Sequence, residues 1–417
     1  MGGSTSAGTG GSSVGGSNAG TNAVGGASSG APAGGSANAG AGAGGATSGS
    51  GGSTSVAGTG GSAAAGGAGG ASAGAAGSGA GGTFAGAAGE GGSAGSSVAG
   101  SSGSGGSTPV DPTDGPLGWA SVDADGVNGT TGGEGGPTVE IRTADEMVQY
   151  GEDSEPRVLR IMNDLTGAFD IGSNKTVVGA NANVTITGNL GITGSADAMI
   201  SNVIVQNLKL NGVASEEDAM DVRYAHHVWV DHCEFFDGPD GNLDVVYQSS
   251  YVTVSWSKFY YTPAYHPAAD ETETADHRFS NLIGNGNSMT ADRGRLRVTF
   301  HHNWWAEGVI ERMPRVRFGE VHLFNNYFSS QGNNYCIAAG VEAKIVAEHN
   351  FFENVNDPHI FYSGEATAQI VATGNHYVNT TGLQDSGQGS AFTPPYPYSL
   401  AAAESVKATV MANVGPR

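Results

Sequence analysis

Six stretches share one eight-residue pattern: VWVDHCEF (228–235), VTVSWSKF (252–259), VTFHHNWW (298–305), VHLFNNYF (321–328), IVAEHNFF (345–352) and IVATGNHY (370–377). Apolar residues hold the first and third positions, polar residues often hold the next two, a small polar residue holds the sixth, and a large apolar residue closes the eighth. A weaker copy, VIVQNLKL, begins at Val203. Successive copies start 25, 24, 46, 23, 24 and 25 residues apart, so the 46 is one repeat with a large insertion or two repeats. Aligned, the copies place like on like. The sixth column reads Asn303, Asn326, Asn350 and Asn375, and the eighth reads Phe235, Phe259, Trp305, Phe328, Phe352 and Tyr377. A solenoid whose coils stack directly on one another explains both columns. A lone buried amide would cost about 1–3 kcal/mol, whereas a column of them can bond from coil to coil. A β-sandwich with irregular strands predicts no fixed register of about 24 residues. The expected fold is therefore all-β, a right-handed parallel β-helix. Its N-terminal end should be capped by a short helix opened by the capping box Thr143-Ala-Asp-Glu146, and Leu400–Val414, ended by Gly415 and Pro416, reads as a C-terminal helix.

Outside the repeats the composition changes abruptly. Residues 1–110 are nearly all Gly, Ala, Ser and Thr, with Glu90 the one charged side chain and Phe84 the one aromatic. Such a stretch buries too little apolar surface to offset its ordering entropy, and it reads as a disordered linker ending near Pro109 and Pro112. Residues 111–417 form the expected single domain. Glu90 accounts for one unit of the formal net charge of −22, so about −21 falls on that domain. Nucleic-acid binding, which needs a basic footprint, is excluded on that ground. The positive charge is also clustered. Arg293, Arg295, Arg297, Arg312, Arg315 and Arg317 are six of the 17 Lys and Arg and fall within 25 positions; the first three read as solvated strand edges.

Cys233 and Cys336 lie about four coils apart, too far to bridge at roughly 4.8 Å per coil, and are expected as two buried thiols. No run of 18 apolar residues exists, so no membrane span is expected. No secretory signal is visible at Met1, and the reading is that a native leader has been replaced by a start Met. The formal myristoylation pattern at Met1–Ser6 is of a kind that Gly/Ser tracts supply freely.

Counting from the first apolar residue of each repeat, Asp218 stands 15 places on, Asp240 12, Asp244 16 and Arg312 14. Loops of similar length would put all four on one longitudinal stripe. Carboxylates gathered there repel one another unless a cation lies between them. Oxygen donors without His or Cys favour a hard ion, calcium before magnesium. Solvated loop acids are the alternative reading.

Three further segments, in this order, carry a resemblance: Val228–His232, DGPDGNLD (237–244) and RMPRVRFG (312–319), together with GWAS (118–121) and GTTGGEGG (129–136). The sequence resembles the pectate lyases of polysaccharide lyase family 1 from residue 118 to about 378. The resemblance implies that Asp218, Asp240 and Asp244 bind a calcium ion bridging enzyme and uronate. It also implies that Arg312 removes the C5 proton and that Arg317 holds a substrate carboxylate, with Arg315 beside it. Guanidinium is ordinarily protonated, so this base is an unusual one. The implied chemistry is anti β-elimination of polygalacturonate, giving 4,5-unsaturated products, by a secreted monomer. Asp231 and His232 are read as structural. One departure is visible. The family usually supplies a Lys near Arg278 or Phe279, so either Arg278 makes that carboxylate contact or the subsite differs. The acidic insertion Tyr261–Asp276 lies beside it. The competing readings are a pectin lyase acting on methylated substrate, which would not need the three acids, and a non-catalytic carbohydrate-binding solenoid, which would not need Arg312 at their phase.

Overall fold

The computed structural model describes residues 115–215, 218–265, 276–362, 367–385 and 391–417. The expected linker, residues 1–110, and the middle of the insertion, residues 266–275, lie outside them. From Thr138 onward the chain winds as a parallel β-helix with three faces. Face 1 is a ten-stranded parallel sheet running from Thr138–Ile141 to Gln369–Thr373. Faces 2 and 3 meet at one nine-residue strand, Thr185–Thr193. Its first residues pair with Lys209–Asn211 on face 2 and its last with Asp218–Arg223 on face 3. The sequence columns are the observed register of face 1: Val203 pairs with Val228, then Val252, Val298, Val321, Ile345 and Ile370 follow in turn. Ser250–Ser255 pairs directly with Arg297–His301. The 46-residue gap is thus one coil carrying an insertion.

Inside, both ladders form. Ring centroids from Phe235 through Phe259, Trp305, Phe328 and Phe352 to Tyr377 stack 4.4–5.5 Å apart. Asn303 Oδ1 accepts from Ser257 N, and from Asn326 on each Oδ1 accepts from the backbone N–H and the amide of the Asn one coil before it. Asn350 Oδ1 takes Asn326 N at 2.9 Å and Nδ2 at 3.0 Å. Asp385 Oδ1 accepts from both Asn375 Nδ2 (2.8 Å) and Tyr377 Oη (2.9 Å), so one carboxylate terminates both ladders. Asn350→Leu removes the acceptor of two buried donors at once. It should cost about 2–5 kcal/mol of stability, read as a lowered urea midpoint at unchanged m value. Wild-type stability would mean that the ladder is replaceable by packing alone.

The capping box at Thr143 forms as expected, opening helix α1 (Ala144–Gly151), with Met147 buried against the first coils. Helix α2 is shorter than expected, Ala403–Asn413. Its N-cap, Ala402, is extended, and Asn325 bonds both the N–H and the carbonyl of Ala401 just before it, at 3.0 and 3.2 Å. Val406 and Val410 of α2 pack on Tyr327 and Phe351, so the helix flanks face 2. The segment after Gly118 covers the outside of face 1. Trp119 N and Ala120 N donate to Thr299 Oγ1 and Thr253 Oγ1, both at 3.0 Å. Only glycine fits at 118: its φ is +94°, and a Cβ would lie 2.7 Å from Thr299 Oγ1. Cys233 and Cys336 are free, buried thiols. Among the described residues no helix is long and apolar enough to cross a membrane.

Face 1 also carries a row of buried imidazoles. His301 stacks on Phe324 at 5.1 Å, its Nδ1 lies 3.0 Å from His302 Nδ1, and its Nε2 has no partner. Burial, then the neighbouring His302, His322 and His232, hold it neutral and well below the usual range. In the unfolded chain it takes a proton as pH falls through 6.5, but in the folded state it does not. Its contribution to stability is therefore full above pH 6.5 and lost progressively as pH falls below it. His301→Phe extends the Phe324 stack and removes this dependence. The melting temperature of the variant should fall less steeply between pH 6.5 and 4.5 than that of the wild type; parallel curves would place the acid-sensitive group elsewhere.

Candidate functional site

The outer side of face 3 gathers most of the residues singled out from sequence. Asp221 pairs in register with Asp244, and Asp218 with Gly241. Leu282 is one coil on from Asp244, with its N–H donating to Asp244 Oδ1 at 2.8 Å, and Leu282 in turn pairs with Arg315. Asp218, Asp221 and Asp244 are buried, whereas Asp240, in the loop just before its strand, is exposed. Gly241 leaves an open cradle between two of the acids. A Cβ there would fall 2.6 Å from Asp218 Oδ1 and 3.4 Å from Asp244 Oδ1. Asp218 Oδ1 is buried with no hydrogen-bond partner.

Burial raises the Asp218 carboxyl well above the usual carboxylate range, and the charges of Asp244, Asp221 and Asp240 add to it. Asp244 is pushed up to about 7, first by burial, with Arg312 and the Leu282 N–H acting against it. Asp221 is held differently: Arg223 grips its Oδ1 through Nε (2.9 Å) and Nη2 (2.7 Å), and Asn189 donates to its Oδ2 at 2.8 Å. Among the described residues no three His, Cys, Asp or Glu side chains form a closed metal cage.

The arginines divide by what holds them. Arg278 is spent on Asp276: its Nε reaches the two carboxylate oxygens at 2.8 and 2.9 Å. The neighbouring Phe279, not Arg278, faces Arg312, whose guanidinium lies 4.0 Å from the ring centroid. Arg315 lies 3.5 Å over the Tyr362 ring. Arg317 is buried and donates to Asn287 Oδ1 and to the Gly284 carbonyl, each at 2.8 Å, and burial lowers it to about 10 with Arg315 and Arg312 contributing. Arg293 and Arg295 pair with Glu342 and Asp125, and Arg297 lies 3.6 Å from Glu320 on the edge of face 1. Asp237 receives both Thr262 N and Thr262 Oγ1 at 2.7 Å, and Tyr261 Oη donates to the carbonyls of Gly238 and Phe279. The start of the insertion thus clamps the acid loop to the segment bearing Phe279. Asp231, joined to His232 Nδ1 at 2.6 Å and Ser255 Oγ at 2.6 Å, belongs to a network on face 1 that also takes in Trp229.

A protein-family model described as pectate lyase matches residues 163–416. The chain belongs to the pectate lyase family. It is 32% identical over 308 residues to a pectate trisaccharide-lyase of Bacillus licheniformis, an alignment covering 69% of this chain and 83% of that one. It is 36% identical over 234 residues to a pectate trisaccharide-lyase of Thermotoga maritima, covering 52% and 58%. Its fold superposes with TM-score 0.60 on the crystal structure of a pectate lyase from Bacillus sp. N165 in complex with trigalacturonate, at 27% identity, covering 72% of this chain and 99% of that one. The chain is therefore a polysaccharide lyase, and its parallel β-helix is the architecture of those relatives.

Within this lyase, sequence reasoning missed Asp221, Asn189 and Tyr362, and named the position of Phe279 without giving the ring a role. Asp221 is the register partner of Asp244, and a carboxylate three places beyond Asp218 was visible but fell outside the counted phase. Asn189 sits a coil earlier than the weakest copy of the repeat, where no pattern pointed to it. Phe279 and Tyr362, the two aromatic seats of Arg312 and Arg315, become visible only once strands from different coils are paired.

Proposed function

We infer that this lyase cleaves polygalacturonate by calcium-dependent β-elimination on the outer side of face 3. One observation carries the reading: a buried, unpartnered acid oxygen, Asp218 Oδ1, borders the same cradle as Asp244 Oδ1, with Arg312 close enough to depress the acid it faces. An acid oxygen kept dry without a donor, beside a second carboxylate, fits a hard cation. Asp218, Asp244 and the exposed Asp240 would hold it, with Asp221, neutralised by Arg223 and Asn189, behind them. Bound calcium supplies charge withdrawal from the uronate carboxylate, which acidifies the C5 hydrogen.

The remaining work falls to the protein. Arg312 takes the C5 proton, the electron pair forms the C4–C5 double bond, and the C4–O bond breaks, with the leaving oxygen protonated from water. Arg315, half-buried on Tyr362, rather than the buried Arg317 that the resemblance implied, meets the carboxylate of a neighbouring uronate. Arg317 lies behind it, anchored to Asn287, and adds positive charge. Arg278, engaged by Asp276, makes at most a contact shared with that acid. A free carboxylate is the partner such a site selects, so methylated substrate should be cleaved poorly. The test is the ultraviolet absorbance of unsaturated product from polygalacturonate, with calcium and with chelator. Calcium-dependent absorbance is expected. Full activity in chelator would remove the cation from the reaction, and new reducing ends without absorbance would remove elimination.

A further inference from the structure

Arg312 and Arg315 are held unlike the arginines around them. Arg223, Arg278 and Arg293 are gripped by carboxylates, and Arg317 by an amide oxygen and carbonyls. The Arg312 side chain makes no hydrogen bond or ion pair among the described residues, and its Nε is buried without a partner. Its backbone is fixed: φ is +60°, its carbonyl accepts Asn281 N at 2.6 Å, and the next N–H donates to Cys336 O at 2.8 Å. Four rotatable side-chain bonds remain beyond that anchor. What the described structure offers them is the face of Phe279, with Cζ 4.0 Å from the ring centroid.

The geometry points to Phe279 as the positioning residue of the reaction, a flat seat that sets the plane of the Arg312 guanidinium and leaves both terminal nitrogens open toward the substrate. This rests on Arg312 being the base. A carboxylate could hold the same side chain, but it would occupy the nitrogens that must accept a proton and would favour the charged form. An aromatic face attracts guanidinium without using its hydrogen-bonding edge. The seat is itself rigid. Phe279 is 7% exposed, its carbonyl accepts Tyr261 Oη at 2.6 Å, it bridges to Glu311, and Ser280 and Asn281 beside it are bonded by Trp305 Nε1 at 3.0 and 2.8 Å. Phe279 thus orients the base, while Arg315 and Arg317 carry the positive charge.

The experiment compares Phe279→Leu, Phe279→Tyr and Arg312→Ala in the full chain with calcium on polygalacturonate. Phe279→Leu keeps apolar bulk but lacks the face. It should lower kcat by roughly ten- to a hundredfold at nearly unchanged KM, with wild-type melting and an unchanged calcium-induced rise in melting temperature. Phe279→Tyr should restore most of kcat. A Phe279→Leu enzyme with wild-type kcat beside an inactive Arg312→Ala enzyme would overturn the seat and leave the base standing. An active Arg312→Ala enzyme would instead overturn the assignment of the base. If Phe279→Leu does not fold, Phe279→Met makes the same comparison.

Discussion

Arg312→Lys should lower turnover on polygalacturonate by on the order of a thousandfold or more, while KM rises only a few-fold. Lysine keeps a positive charge, so a loss this large would separate geometry from charge. Its ammonium is a compact, strongly hydrated point on a shorter reach, and it cannot lie flat against Phe279 as the planar guanidinium does at 4.0 Å. A base displaced by an ångström loses the near-attack position over C5. Binding should survive because the carboxylate contacts belong to Arg315 and to the acid cluster. Stability should survive as well, since the Arg312 side chain makes no hydrogen bond or ion pair among the described residues and its buried Nε is unpartnered. Steady-state kinetics with product absorbance, alongside calorimetry, checks all three expectations. A lysine enzyme with near wild-type kcat would transfer the proton abstraction to another group, with Arg315 next in place.

The fold was far more legible in the sequence than the site, for a physical reason. Columns such as Asn303 to Asn375 recur because stacked coils place equal positions in contact, and a contact repeated at fixed spacing leaves a periodic trace. That trace reached back only to Val203. The coils before it, including Thr185–Thr193 with Asn189, belong to the same helix but do not carry the eight-residue pattern. The site is not periodic. Counting phase placed Asp218, Asp240, Asp244 and Arg312 in one stripe on the assumption of equal loops. In the structure Asp218 pairs with Gly241, and Asp244 pairs three residues further on, with Asp221. Asp218 and Asp244 therefore share the face but stand three register positions apart along its strands. The choice between Arg278 and Phe279 shows the same limit. The two neighbours turn different ways, Arg278 to Asp276 and Phe279 to Arg312, so a one-residue ambiguity in alignment decides whether a cation or an aromatic ring meets Arg312.

Asp244→Asn should all but abolish calcium-dependent cleavage and, at the same time, make the calcium-free protein more stable above pH 7. The two effects have one origin. The carboxyl of Asp244 is raised from 3.8 to about 7 because burial and the charges of Asp221 and Asp240 outweigh the help of Arg312 and the Leu282 N–H. A carboxyl whose folded value is raised adds its full stabilisation only below its unfolded value, and that stabilisation is lost as pH rises through the folded one. The resulting penalty grows between pH 4 and 7 and stays constant above. Asparagine is of the same size, keeps an oxygen to accept Leu282 N at 2.8 Å, and carries no charge. It therefore removes the penalty without opening a cavity. The gain in melting temperature over wild type should thus be absent near pH 4 and present near pH 8, both in chelator. Adding calcium should reverse the order, since the wild type gains a ligand-linked rise that the variant, with one anionic oxygen fewer beside the orphaned Asp218 Oδ1, does not. Equal calcium-induced shifts in the two proteins would show that Asp244 holds no cation, whatever happened to the activity.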